Sequence, residues 1–135
     1  MPVIKEVEKL WGRELWHHND QQASDGPDGR GYCMKTLELR AGVQSSLHYH
    51  YVKRETFLVV AGEVELYLRV RLWNYLVVET ISETLMTLRQ GDSITIAPLV
   101  AHRFRALTPE ATVVEASTPH DDADVYRLEE SRLLP

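Results

Sequence analysis

Two histidines separated by one residue, His48-Tyr49-His50, constrain this chain more than any other feature. Only an extended backbone, whose side chains alternate with period two, turns both rings to the same side. The pair therefore predicts a β-strand that can offer two imidazoles to one ion. Glu55 heads the apolar run Thr56–Ala61, and a turn over Tyr51–Arg54 would fold its carboxylate back beside the histidines. Imidazole nitrogens and a carboxylate oxygen suit one divalent transition metal such as zinc, manganese, iron or nickel. A lone His-x-His pair arises often by chance, so its surroundings carry the weight. Gly42 precedes the pair, Gly62 closes the strand after Glu55, and a second glycine-led segment runs from Gly91 to His102. That segment is β-rich and ends in a histidine able to complete the coordination sphere.

The rest of the chain bounds the reading. Its 135 residues suffice for one domain with a core and not comfortably for two. A net charge of −5 with scattered basic residues offers no patch for nucleic acid or an anionic membrane. No segment approaches a membrane span, and the start Met-Pro-Val-Ile-Lys-Glu lacks the apolar stretch of a signal peptide. The expected location is cytoplasmic. The single cysteine, Cys33, excludes an intrachain disulfide and suits a reducing compartment.

Along the chain, Pro2–Lys9 is short and mixed, and Gly12–His17 is the better strand, followed by a turn-rich loop over Asn19–Gly31. His17 and His18 read as surface or strand-end residues rather than extra ligands. In Tyr32–Arg40, Cys33, Lys35, Leu37 and Leu39 share one face. If the leucines point into a barrel, so does Lys35, which then either holds an anionic substrate group or snorkels to solvent from the strand end. Gln44 and Ser46 share a face with His48, and Phe57 and Val59 share one with Glu55, placing the site against an apolar floor.

Val64, Leu66, Leu68 and Val70 alternate with polar residues as a half-buried strand, and Tyr67 reads as ordinary packing. The apolar stretch Leu72–Ile81, with Trp73, Tyr75, Leu76 and Val78, reads either as an exposed hairpin suited to a homodimer contact or as a strand buried in the sandwich. Glu83–Arg89, Ser93–Ile96, His102–Ala106 and Ala111–Thr118 complete about nine strands, with His102 and Phe104 inward and Arg103 and Arg105 outward. The acidic tail over residues 119–135 reads as a solvated segment covering one barrel end, not a second metal site. No helix of consequence is expected, and the fold class is all-β, a single-domain barrel or jelly roll over residues 1–135.

Taken together, Gly42-x5-His48-x-His50-x4-Glu55-x6-Gly62 and Gly91-x10-His102 resemble the paired motifs of the cupin superfamily. The first matches at every defining position. In the second, the expected proline position is Ala97, with Pro98 one place later, and the expected glycine is Leu99, while His102 keeps its register. The resemblance implies a double-stranded β-helix, or jelly-roll barrel, that holds a metal in its interior through His48, His50, Glu55 and His102. A narrower likeness, carried by Trp11-Gly-Arg-Glu and by Ser117-Thr-Pro-His-Asp-Asp-Ala-Asp-Val-Tyr-Arg127, is to mannose-6-phosphate isomerase-type cupins.

That likeness implies a small-molecule substrate, a sugar or sugar phosphate, and aldose–ketose isomerisation or a related epimerisation. The metal would bind substrate oxygens, Lys35 would hold a phosphate or polarise an oxygen, and Glu55 and Glu115 are the carboxylates nearest the chemistry. Of these Glu55 is occupied if it is a ligand, and Glu115, sharing a face with Val113, is the candidate base; Glu38 and Glu65 point out. Two other readings stay open: a non-haem iron dioxygenase, and a non-enzymatic metal-containing sugar-binding module.

Overall fold

A computed structural model describes residues 3–20, 31–73 and 79–135. Its elements are β1 (Lys5–Lys9), β2 (Gly12–Asn19), β3 (Cys33–Arg40), β4 (Val43–Gln44), β5 (Leu47–Tyr49), β6 (Glu55–Ala61), β7 (Glu63–Trp73), β8 (Glu79–Arg89), β9 (Ser93–Ile96), β10 (Ala101–Ala106), β11 (Glu110–Ser117), β12 (Tyr126–Glu129) and β13 (Arg132–Leu133). A single 3-10 turn, Asp122–Asp124, is the only helical element among the described residues. Two sheets face each other. One runs β1-β2-β3-β11-β6-β9, and in the other β10 is flanked by β5 and β4 on one edge and by β7, then β8, on the other. The all-β jelly roll expected from the spacing of the strands is the architecture observed.

Four strands carry one pattern on their inner faces. Going toward the same end of the barrel, β3 runs Leu39, Leu37, Lys35; β11 runs Ala111, Val113, Glu115; β6 runs Val59, Phe57, Glu55; and β10 runs Ala106, Phe104, His102, all buried. Antiparallel register aligns β3 with β11, Leu37 opposing Val113 and Lys35 opposing Glu115, while on β6 Phe57 opposes Glu115 and Glu55 lies one inward position further along, opposite Ser117. The apolar rungs make the core, where Trp11 meets the edge of Phe104 at a centroid distance of 5.2 Å. The polar rung above them forms the floor and wall of a cavity. Period-two alternation thus places hydrophobic stabilisation at one end of the barrel and charge at the other.

Several expectations are corrected here. Lys5–Lys9 is a strand, paired with β2 from Lys5↔Trp16 to Lys9↔Gly12, although its mixed sequence hides the periodicity because most of its residues are solvent-exposed. The segment around His48 is not one strand: β4 and β5 are separated by Ser45 and Ser46, both buried. Short pieces such as these and β12 and β13 raise the strand number above the nine anticipated. Of the stretch 72–81, the described ends belong to β7 and β8, which pair in register out to Trp73↔Glu79. Leu72 and Ile81 are exposed, which argues against burial of these positions in the sandwich, while Tyr75, Leu76 and Val78 lie outside the described residues.

The departure at Leu99 has a visible backbone consequence. Leu99 adopts φ 71°, the left-handed region that glycine enters without penalty, while its N–H donates to the His50 carbonyl at 2.7 Å. The side chain is 56% exposed, so little burial offsets the strain. Leu99→Gly is expected to stabilise the protein by about 0.5–1 kcal/mol, the left-handed penalty less the extra unfolded-state entropy of glycine. Thermal unfolding should then shift upward by about 2–4 °C. An unchanged or lowered midpoint would show that the turn carries no such strain.

Candidate metal centre

The three histidines come from the β5–β10 side of the barrel and Glu55 from the facing sheet. His48 and His102 are direct cross-strand partners, which brings their rings to a centroid distance of 4.6 Å. His50 follows β5 by one residue, and its ring lies 5.2 Å from that of His48. One nitrogen from each of His48, His50 and His102 can be chosen so that all lie within 4.8 Å of one another. Glu55 completes the group: Oε2 stands 2.9 Å from His102 Nε2, and Oε1 stands 3.6 Å from His50 Nε2.

Each imidazole is held by its other nitrogen. His48 Nδ1 lies 3.2 Å from the Ser46 carbonyl and 3.0 Å from Ser46 Oγ, His50 Nδ1 lies 2.8 Å from the Asp124 carbonyl, and His102 Nδ1 lies 3.0 Å from the Val100 carbonyl. A carbonyl oxygen only accepts, so these partners assign the proton to Nδ1 and leave the Nε2 lone pairs facing inward. His50 Nε2, His102 Nε2 and Glu55 Oε2 are buried without hydrogen-bond partners. Lone pairs brought to 2.9 Å repel unless a cation lies between them. A proton relieves one such pair; a divalent cation satisfies the whole group, and the donor set with its outer hydrogen bonds fits a transition metal.

The electrostatics point the same way. Burial pushes the Glu55 carboxyl up, but His102, His50 and Lys53 outweigh it and hold the group well below the usual carboxylate range. Burial pulls His102 down, yet the facing Glu55 carboxylate brings it above the ordinary imidazole value. His48 is lowered, by burial first and then by its histidine neighbours. The pattern describes one anion among three imidazoles competing for positive charge.

Above this group lies a cavity of about 560 Å³ lined by charged side chains from both sheets and from the C-terminal segment. Lys35 is inward and 2% exposed; its ammonium lies 3.5 Å from Glu14 Oε1 and 3.9 Å from the centre of the Trp16 ring. Glu115 is buried opposite Lys35 in the β3–β11 register. Glu38 and Glu65 lie on outer faces and pair with Arg13 and Arg105. Tyr67, also outward, donates to Glu83 at 2.7 Å. His17 meets Thr36 Oγ1, and His18 meets Asp20 and stacks on Tyr32, so neither joins the metal group.

Three residues of the site have no counterpart in the sequence reading. Lys53, expected within an exposed turn, is 4% exposed and bridges Glu55 Oε1 at 3.1 Å, Glu115 Oε2 at 2.8 Å and His120 Nδ1 at 3.1 Å. His120 enters the cavity from the tail, its edge against Trp16 and its Nε2 held by Asp122 Oδ1 at 2.9 Å. Burial, then Lys53 and Lys35, keep His120 below the ordinary imidazole value. Asp124 also departs from the solvated tail anticipated: its carboxylate caps backbone N–H groups of residues 51–53. The only sequence signal for Lys53 was its position two residues before Glu55.

Two facing sheets, in the strand order given above, decide the architecture. The chain has the cupin fold. Similar solved structures include the capsular polysaccharide assembling protein CapF from Staphylococcus aureus, with TM-score 0.70 and 17% identity over 96% of this chain and 32% of that one. Oxalate decarboxylase from Lactobacillus farciminis aligns with TM-score 0.67 and 13% identity over 92% of this chain and 33% of its own. The Bacillus subtilis oxalate decarboxylase gives TM-score 0.68 and 15% identity over 93% and 30%. The chain therefore spans about a third of the length of those proteins. No family model and no curated protein matches its sequence. Among the described residues, no helix is long and apolar enough to cross a membrane.

Proposed function

We propose that this chain is a metal-dependent cupin enzyme that moves a proton on a sugar or sugar phosphate, in aldose–ketose isomerisation or epimerisation. The observation that carries the reading is the convergence of three imidazole nitrogens, with the Glu55 carboxylate against two of them, at the base of a cavity whose walls hold other acids, bases and ammonium groups. His48, His50, His102 and Glu55 would hold the ion. Bound there, a divalent metal supplies Lewis acidity toward a carbonyl or hydroxyl oxygen.

The chain's own residues supply the remaining functions. Glu115 is a cavity carboxylate outside the ligand set, oriented by Lys53 and suited to take a proton from a carbon next to a carbonyl. His120, whose Nδ1 accepts from Lys53 and whose Nε2 is held by Asp122, helps to orient the Lys53 ammonium beside Glu115. Lys35, Lys5 and Lys9 line the same cavity, and Glu14 alone stands within 4.0 Å of both Lys35 and Lys9 among the described residues, which suits an anionic substrate group. The involvement of CapF in capsular polysaccharide assembly, as its name states, agrees with a carbohydrate ligand.

The test is solvent deuterium wash-in to aldose and ketose phosphates, with the metal content measured and oxygen consumption followed in parallel. Incorporation at the carbon beside the carbonyl without oxygen uptake is the expected result. Stoichiometric iron with substrate-dependent oxygen uptake would instead establish a dioxygenase, and tight binding without exchange would leave a sugar-binding module. Lys35→Met should weaken the phosphorylated ligand by about tenfold, a charge-assisted contact's worth, with metal content retained. Unchanged affinity would remove Lys35 from the substrate site.

A further inference from the structure

The C-terminal segment makes its hydrogen bond to the side chain of a candidate ligand at Asp124. Asp124 ends the 3-10 turn, and β12 behind it pairs with β5 through Tyr126↔Tyr49 and Arg127↔His48. Its carboxylate accepts from the N–H of Tyr51 at 2.9 Å and, through Oδ2, from those of Val52 at 3.2 Å and Lys53 at 3.1 Å. Its carbonyl accepts from His50 Nδ1 at 2.8 Å. One residue thus fixes the loop between His50 and Glu55 from both sides: it assigns the proton on His50 and sets the backbone from which Lys53 reaches the two buried carboxylates.

We infer that Asp124 is a positioning residue of the metal centre, the point at which the C-terminal strap completes a site whose ligands all lie in the barrel. The inference rests on His48, His50, Glu55 and His102 holding a metal. Hydrogen bonds to the outer nitrogen of a metal-binding imidazole fix its tautomer and direction, and their loss weakens metal binding by about 10–100-fold. Four acceptor contacts from a single residue concentrate that function at position 124. Tyr51 N–H and Val52 N–H lie on exposed residues where water can replace the carboxylate; the Lys53 N–H belongs to a buried residue where replacement is harder.

The test compares Asp124→Ala, Asp124→Asn and Asp121→Ala in the full chain, using Co²⁺ as the probe. Asp121 caps the 3-10 turn by accepting from the Ala123 N–H at 2.9 Å, whereas the loop N–H groups of residues 51–53 donate to Asp124, so Asp121→Ala removes the cap and keeps those bonds. Asp124→Ala removes the three carboxylate contacts and keeps the backbone carbonyl that faces His50 Nδ1, so it acts through the displaced loop and is expected to weaken Co²⁺ binding by about tenfold, the lower end of an outer-contact effect, and to shift the visible absorption of the bound ion. Asp124→Asn, which keeps one carbonyl acceptor, should fall between, and Asp121→Ala should leave affinity and spectrum near those of the parent chain. Parental affinity and spectrum in Asp124→Ala, with only a lowered unfolding temperature, would overturn the inference, as would an equal loss in Asp121→Ala. Failure of the unaltered protein to bind Co²⁺ would instead remove the metal reading beneath it.

Discussion

His102→Ala should strip the chain of its metal while leaving the barrel folded. The residue is buried on β10, opposite His48 in the ladder, and its Nδ1 is fixed by the Val100 carbonyl so that Nε2 faces Glu55. Truncation removes a direct donor, so affinity should fall by more than about a hundredfold, the upper end of the effect of losing an outer hydrogen bond. The strand itself is secured by backbone pairing to β7 from Ala101↔Arg69 to Ala106↔Val64, which does not involve the imidazole. The far-ultraviolet β-sheet spectrum should therefore persist. His48→Ala should behave alike, because its ring occupies the facing position. Elemental analysis after dialysis, beside circular dichroism, checks both. Full metal retention in the two folded variants would refute the four-ligand centre.

What the sequence revealed of this site, and what it hid, follows from where each residue sits. Lys35, Glu55, Glu115 and His102 lie within regular strands, where period two transmits a side chain's direction from its apolar neighbours. Leu37 and Leu39 point Lys35 inward, Phe57 and Val59 do the same for Glu55, and Phe104 does so for His102. Lys53 lies between β5 and β6, where no period operates, and a lysine flanked by Val52 and Arg54 resembles any exposed turn. His120 and Asp124 are harder still, because their partners, Lys53 and His50, stand 67 and 74 positions away in the chain. Three aspartates in a short tail look solvated until one of them is seen capping a distant loop. The short strand β1 was obscured by its composition, since a hairpin arm with mostly exposed residues has little apolar alternation to display.

Lys53→Met is expected to be the most destabilising single change in the metal-free protein. The ammonium has three N–H donors and three acceptors around it, Glu55 Oε1, Glu115 Oε2 and His120 Nδ1, so none of its hydrogen-bonding capacity is wasted. Burial lowers its affinity for a proton, but Glu115 and then Glu55 raise it above the ordinary lysine value. Methionine preserves volume and leaves two buried carboxylates without their shared cation. Removing one partner of a buried ion pair costs about 3–5 kcal/mol, far more than a surface pair is worth. Loading the centre should recover part of the loss, because a divalent ion on Glu55 replaces one of the two compensations. The pH dependence has a definite sign. In the parent protein Glu55 is held below its unfolded value, so its stabilisation is present above about pH 4.3 and is lost as pH falls through the lower folded value. In the variant Glu55 loses one of the cations that lower its folded value, so acidification relieves part of the defect and the two stability curves converge at low pH. Chemical denaturation of both proteins across that range measures the gap. Adding Glu115→Gln to Lys53→Met should restore a substantial part of the stability, since it removes one of the orphaned charges; equal stability of the parent and Lys53→Met near neutrality would show that the ammonium does not hold the carboxylates of β6 and β11 together.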